Sequence, residues 1–132
     1  MITVQKYFER FKDSLEITDK VRKNAEKTIG LVSTLLSLIP YDGIQTSGFR
    51  TQKYNDKIGG KSLSAHCTGE AIDLHDPDKI IGNWCMNNIP YLASVGLYME
   101  HLTVTHRSPD PTKRWVHLSI RAPKSGNTIY FP

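Results

Sequence analysis

Residues 115–121 alternate between apolar and polar side chains with a period of two. Val116, Leu118 and Ile120 are apolar, whereas His117 and Ser119 between them are polar. Because successive side chains of a β-strand point to opposite faces, this segment predicts a strand with one buried and one polar face. Such a strand requires a sheet that is covered by other elements on one face only.

A second short segment, residues 71–75, has the same character. Ile72 and Leu74 alternate with Asp73 and His75. If the apolar pair faces the core, a carboxylate and an imidazole share the opposite face. Two strands of one sheet would then each present a potential metal ligand on the polar side.

The rest of the chain predicts one α+β domain over residues 1–132, with N-terminal helices packed on a small antiparallel sheet. Thr18 is a plausible N-cap for the longest helix, and Pro90 is a potential break in the last one. A loop is expected at residues 105–114, which contain two prolines. The predicted helices are residues 4–15, 18–40, 51–57 and 78–93, and the predicted strands are residues 44–49, 71–75, 97–101, 115–121 and 129–131.

Composition narrows the function classes. The net charge is +4, and the whole cationic surplus lies after Val104, but no regular basic and aromatic pattern accompanies it, so we expect no nucleic-acid partner. No apolar run approaches the length of a membrane span. The N-terminal segment lacks the apolar core of a Sec-type signal peptide, so we expect synthesis in the cytoplasm. We also expect a monomer.

One metal-ligand set emerges from these patterns. His66 precedes Asp73 by seven residues, and a turn at Gly69 can fold it back towards the strand. His66, Asp73 and His117 would supply three ligands and leave one position open, which is typical of a catalytic zinc. Two histidines and a carboxylate also bind iron in non-haem oxygenases, but the spacing and the number of strands do not suit that class.

Residues 64–73 read S-x-H-x-x-G-x-A-x-D. This segment resembles the signature of the zinc D-Ala-D-Ala metallopeptidases, a family that includes murein carboxypeptidases, phage L-Ala-D-Glu endolysins and the hedgehog domain. Residues 47–60 resemble the family's SGYR…YN…IGG stretch, and residues 115–119 resemble its W-[IV]-H-[VL] strand. The three blocks occur in the family's order, and residues 123–132 are similar to phage-encoded members.

The resemblance implies that His66, Asp73 and His117 bind Zn²⁺. It also implies that Arg50 polarises the scissile carbonyl or binds a substrate carboxylate, and that Ser64 lies next to the substrate. A structural salt bridge for Arg50 and a turn or cap role for Ser64 remain open alternatives. Trp115, beside the strand that carries His117, is a further candidate for substrate binding.

The sequence departs from the family at the catalytic acid. Many members have E-x-x-H at the third ligand, but Arg114 occupies that glutamate position here and cannot accept a proton. Glu100, in the predicted strand before the 105–114 loop, is the leading candidate for the general base. His101 and His106 are the alternative bases.

These observations predict zinc-dependent hydrolysis of an amide bond in peptidoglycan stem peptides, by a carboxypeptidase or an endopeptidase. We expect a phage-related lysin that acts on the cell wall after release or as part of a virion. The alternative is a zinc-containing cell-wall-binding module without turnover. Residues 105–114 should border the cleft, and Cys67 and Cys85 should be reduced and non-ligating.

Overall fold

Five strands form one mixed sheet in the computed structural model, which describes all residues 1–132. The strands are β1 (Gln45–Ser47), β2 (Ala71–His75), β3 (Tyr98–Glu100), β4 (Trp115–Ser119) and β5 (Ile129–Tyr130). Their spatial order is β1-β2-β4-β3-β5, so the late strand β4 lies at the centre. The chain is a single α+β domain, as predicted.

The expectation of a purely antiparallel sheet was wrong at β5. All other neighbouring pairs are antiparallel, but β5 runs parallel to β3. The chain does reverse direction after β4, as a hairpin-length connection predicts. However, both edges of β4 are already paired, with β2 and with β3, so the returning strand pairs with the free edge of β3.

The chain has six α-helices: α1 (Val4–Phe8), α2 (Asp19–Ser37), α3 (Gln52–Lys57), α4 (Ile80–Met86), α5 (Ile89–Val95) and α6 (Leu102–Thr105). Local signals in the sequence start two of them. Thr18 caps α2, the longest helix, by accepting a hydrogen bond from Val21 N, as predicted, and Thr51 caps α3 by accepting one from Tyr54 N. None of them combines the length and the hydrophobicity needed to cross a bilayer.

Several predicted boundaries change in the structure. The predicted helix 4–15 is shorter, because α1 passes into a 3₁₀ turn at Glu9–Phe11, and Leu15 is exposed rather than packed. The predicted helix 78–93 is two helices, and Pro90 lies in the first turn of α5, where its missing N–H costs nothing. The expected loop 105–114 contains the end of α6 and a 3₁₀ turn, Pro111–Lys113.

The core lies on one face of the sheet. Ile72 and Leu74 of β2, Val116 and Leu118 of β4 and Met99 of β3 are fully buried, together with apolar residues of α2, α4 and α5. Burial of each such side chain contributes roughly 1.5–3 kcal/mol. The alternate positions of the same strands therefore point to the other face, where the functional side chains lie.

Candidate metal centre and cleft

Asp73 and His117 are cross-strand partners at the centre of the sheet, on the face opposite the core. Nδ1 of His117 lies 2.8 Å from Oδ1 of Asp73. Nε2 of His66 lies 3.2 Å from the same oxygen. One ligand atom from each of the three residues falls within 4.8 Å of the others, so the structure brings together the predicted set as a group that could hold a metal ion.

His66 reaches the sheet from a 3₁₀ turn, Ala65–Thr68, that precedes β2. Ser64 caps this turn by accepting a hydrogen bond from His66 N. Gly69 ends the turn with φ +81°, and a Cβ there would collide with the carbonyl oxygen of Val21. The turn therefore requires glycine both for its backbone conformation and for its close packing on α2.

The tautomer of His66 follows from the contact of Nδ1, the ring nitrogen that does not face Asp73. Nδ1 lies 2.8 Å from the carbonyl oxygen of Gly48, which can only accept a hydrogen bond, so Nδ1 carries the proton. In the neutral ring Nε2 is then the acceptor nitrogen, and it is buried 3.2 Å from Oδ1 of Asp73 without a hydrogen-bond partner. A buried lone pair without a partner, facing a carboxylate and a second imidazole, is the arrangement expected of a metal ligand.

The charges of the cluster are strongly coupled. Burial alone would raise the pKa of Asp73, but the neighbouring imidazoles of His66 and His117 hold it well below its usual range. Burial opposes the charged form of His117, yet its hydrogen bond to Asp73 raises its pKa. Asp73 therefore stays ionised, and a carboxylate with two imidazoles is a donor set that suits zinc.

Arg50 lies against this cluster. Its Nη2 is 3.4 Å from Oδ2 of Asp73, and its Nε donates to Oγ of Ser47. The side chain is still 19% exposed. The guanidinium thus forms the salt bridge considered above and also presents free N–H groups to the adjoining space.

A cleft of about 1020 Å³ opens over the cluster. The predicted residues Ser64, Glu100 and Trp115 all line it, as does Arg50. Its lining also includes residues 61–65 and the C-terminal segments 121–125 and 130–132. This open groove has the size at which extended peptides and other ligands bind.

Glu100 lies on the polar face of β3, because its neighbour Met99 points into the core. Burial raises the pKa of its carboxyl group, and the charge of Asp73 adds to the rise, while His117, Lys61 and His66 oppose it. A carboxyl group with a raised pKa binds a proton more readily than an ordinary glutamate, which suits a general base.

The alternative bases lie elsewhere. His101 caps α6 by accepting a hydrogen bond from Thr103 N, and its ring stacks on Phe131 at 4.5 Å. His106 is buried, with Nδ1 beside Thr105 and Nε2 2.8 Å from Oδ2 of Asp76. Neither side chain lines the cleft, because His101 caps α6 and His106 is buried against Asp76.

Sequence reasoning missed Tyr130. It pairs in register with Glu100 across the parallel strands β3 and β5, and it lines the cleft. Burial raises the pKa of its phenol, and the charges of Glu100 and Asp73 raise it further, so the hydroxyl remains a proton donor. The alternation of residues 129–131 indicated a strand, but only the pairing with β3 shows where Tyr130 lies.

The 105–114 segment borders the site only in part. Lys113 and Arg114 line a smaller cavity that also includes Trp115, whereas Arg107 does not.

The thiols lie outside the metal cluster. Cys67 and Cys85 are both free, and burial raises the pKa of Cys85 to about 12.

A cluster of two histidines and one aspartate beneath an open cleft is a ligand set found in metal-dependent hydrolases. Residues 6–107 match the family model described as Peptidase M15, and the chain belongs to this family of zinc-dependent, D-Ala-D-Ala carboxypeptidase-like peptidases. The match includes His66 and Asp73, and His117 lies ten residues beyond its end. No curated protein and no solved structure matches the chain.

Proposed function

We propose that this protein hydrolyses an amide bond in peptidoglycan stem peptides, with zinc held by His66, Asp73 and His117. The observation that carries the proposal is the cluster itself, in which an ionised carboxylate and an unpartnered buried imidazole nitrogen face a peptide-sized cleft. When bound, zinc supplies a Lewis acid that polarises a carbonyl group and lowers the pKa of water.

The chain's own residues supply the remaining chemistry. Glu100 accepts the proton of the attacking water and delivers it to the leaving amine, which its raised pKa favours. Arg50 donates to the oxygen of the scissile carbonyl as negative charge develops there. Tyr130, which is in register with Glu100 on the neighbouring strand and lines the cleft, donates a second hydrogen bond.

Two residues contribute to binding rather than to proton transfer. Trp115 lies at the junction of the cleft and the smaller cavity, where its ring can pack against the substrate backbone. Ser64 holds His66 through the cap of the 3₁₀ turn and also lines the cleft. The structural role that sequence analysis left open for Ser64 is therefore present alongside the proposed binding role.

The competing function is a cell-wall-binding module without turnover. Its support in the sequence was Arg114 at the position of the family's usual acid. Arg114 donates instead to the carbonyl oxygens of Ser108, Pro77 and Pro109, and Glu100 supplies a carboxylate from β3. Hydrolysis is therefore the function that the geometry favours.

The test is digestion of purified peptidoglycan by the zinc-loaded protein, followed by mass spectrometry of the fragments and labelling of new amino termini. Hydrolysis predicts new amino groups and identifies the bond that is cut. Binding to the wall without new amino groups would support the binding module instead.

We also propose that the protein is a phage-related lysin. Host cells that express it should then lyse only when a membrane-permeabilising holin is co-expressed.

A further inference from the structure

Arg121 connects the end of β4 to the segment of chain that carries His66. Its Nε and Nη2 donate to Oε1 of Glu70 at 3.1 and 2.9 Å. Nη2 also donates to Oγ1 of Thr68 at 2.7 Å, and Nη1 donates to the carbonyl oxygen of Leu63. Because Leu63 precedes His66 while the other two residues follow it, one guanidinium holds this segment on both sides of the ligand.

The charge of Arg121 is already compensated within the chain. Glu70 forms a salt bridge with it, and Oε1 of Glu70 also accepts a hydrogen bond from Oγ1 of Thr68 at 2.6 Å. Four of the five N–H groups of the guanidinium are used in these contacts. Although Arg121 lines the cleft, it therefore has little capacity left to bind a substrate directly.

The start of the same segment has few other supports. Residues 61–63 are exposed, and the side chain of Leu63 is 83% exposed, so apolar packing does not fix them. The other end is better held, because Asn24 and Thr28 of α2 donate to the carbonyl oxygens of Thr68 and Gly69. A segment with few buried contacts opens locally at low free energy unless hydrogen bonds hold it.

The position of this segment determines where the ligand nitrogen of His66 lies. Its ring centroid is 5.2 Å from that of His117, which is in β4, four residues before Arg121. By joining the end of β4 to the segment, Arg121 sets the spacing between these two imidazoles. Outer contacts that orient metal ligands typically contribute 10- to 100-fold in metal affinity.

We propose that Arg121 is a positioning residue for the metal centre. Through Glu70, Thr68 and Leu63 it holds His66 at the distance from His117 that a shared ion requires. This inference rests on the proposed function for the identity of the metal as zinc. It assigns to Arg121 a role in metal affinity, separate from the proton transfer assigned to Glu100.

The first measurement is the dissociation constant for zinc, by competition with a chelator. Arg121→Gln should bind zinc about tenfold more weakly than the wild type. Arg121→Lys keeps the charge but not the planar fork, so it should recover part of the affinity. Arg114→Gln is the matched control: it removes three hydrogen bonds to backbone carbonyl oxygens at the other end of β4 and should leave the affinity unchanged.

A double variant tests whether the contacts act as one unit. Glu70→Ala should weaken zinc binding about as much as Arg121→Gln, and combining the two should add little, because both remove the same connection. Urea unfolding of the metal-free proteins separates this role from general stability. A merely structural arginine would lower stability in Arg121→Gln, as in Arg114→Gln, without changing the affinity for zinc.

The second measurement needs no metal. Hydrogen exchange of the metal-free protein, followed by mass spectrometry, should become faster in residues 61–70 of Arg121→Gln and stay unchanged in β3. Unchanged zinc affinity in this variant, or unchanged exchange in residues 61–70, would overturn the inference. If the wild type bound no zinc, the proposed function would fail, and the exchange result would still decide whether Arg121 holds the segment. Zinc binding without cleavage of peptidoglycan would contradict the proposed function alone.

Discussion

Nδ1 of His66 lies 2.8 Å from the carbonyl oxygen of Gly48, and this contact determines which ring nitrogen of His66 faces Asp73. The contact spans 18 residues, from the loop after β1 to the turn before β2. The ligand nitrogen is therefore oriented by the backbone before any ion binds. Such support of a ligand by its second ring nitrogen usually strengthens metal binding.

Replacement of any ligand should remove the metal. We expect His66→Ala, Asp73→Ala and His117→Ala each to lose bound zinc, because two remaining ligands hold an ion far less tightly than three. His75→Ala is the matched control: it lies two residues from Asp73 on β2 but outside the cluster, and it should retain zinc. Elemental analysis of the purified variants is the measurement. An equimolar zinc content in His117→Ala would refute the assignment.

Glu100→Gln should reduce kcat by roughly 10²- to 10⁴-fold, because an amide cannot accept the proton of water. Zinc content should stay unchanged, since Glu100 is not one of the three clustered ligands. Glu9→Gln, an exposed change outside the cleft, should keep full activity. The measurement is steady-state hydrolysis of a purified stem peptide. Near wild-type turnover in Glu100→Gln would move the base to another residue.

The raised pKa of Glu100 also predicts how stability depends on pH in the metal-free protein. The folded state binds the Glu100 proton more tightly than the unfolded state, so ionisation destabilises the fold as pH rises from the ordinary glutamate value through the raised one. Glu100→Gln should thus unfold at higher urea than the wild type at pH 7. The difference should vanish below pH about 4, where both side chains are neutral. A less stable Gln variant at pH 7 would contradict this expectation.

Tyr130→Phe should reduce kcat by about tenfold or more and change KM little, because the hydroxyl acts mainly on charge that develops during the reaction. The ring is retained, so folding and zinc content should match the wild type. Tyr98→Phe, on the neighbouring strand but not in the cleft, is the control. Equal losses in the two variants would point to a general effect of the sheet rather than to Tyr130.

Asp76→Ala should destabilise the fold by roughly 3 kcal/mol or more, because it leaves buried partners unsatisfied. Asp76 is fully buried and accepts hydrogen bonds from Ile81 N, Gly82 N and Nε2 of His106. Asp78→Ala, two residues away and exposed, should change little. Urea unfolding measures both. A loss below 0.5 kcal/mol in Asp76→Ala would show that water replaces these contacts.

The local features of the site were predictable from the sequence, because alternation and turn residues act over short distances. Asp73 and His117 share a face since their strands alternate, and Gly69 folds His66 back because it adopts a positive φ. The face to which each side chain points is a property of five to ten residues. That Asp73 and His117 are direct neighbours depends in addition on the pairing of β2 with β4.

The parts of the site that were not predicted depend on contacts between segments that are distant in the sequence. Tyr130 enters the cleft only because β5 pairs with β3, and the sequence of β5 does not specify that partner. Arg10 contacts Tyr54 only because the 3₁₀ turn Glu9–Phe11 packs against α3, where the ring of Phe11 also meets Tyr54. Sequence analysis predicted helices but no site residue in the first 40 residues, since no local pattern marks such a long-range contact.

The central position of β4 has a consequence for synthesis of the protein. β4 separates β2 from β3, although it is translated after both of them. While the ribosome is still making residues 1–114, β2 and β3 have no strand between them, and each exposes unpaired backbone groups to other chains. The nascent chain can complete neither its sheet nor its metal ligands until β4, with His117, has emerged. A peptidase assembled in this order can become active only after β4 has been synthesised and has moved in between two strands that were made before it.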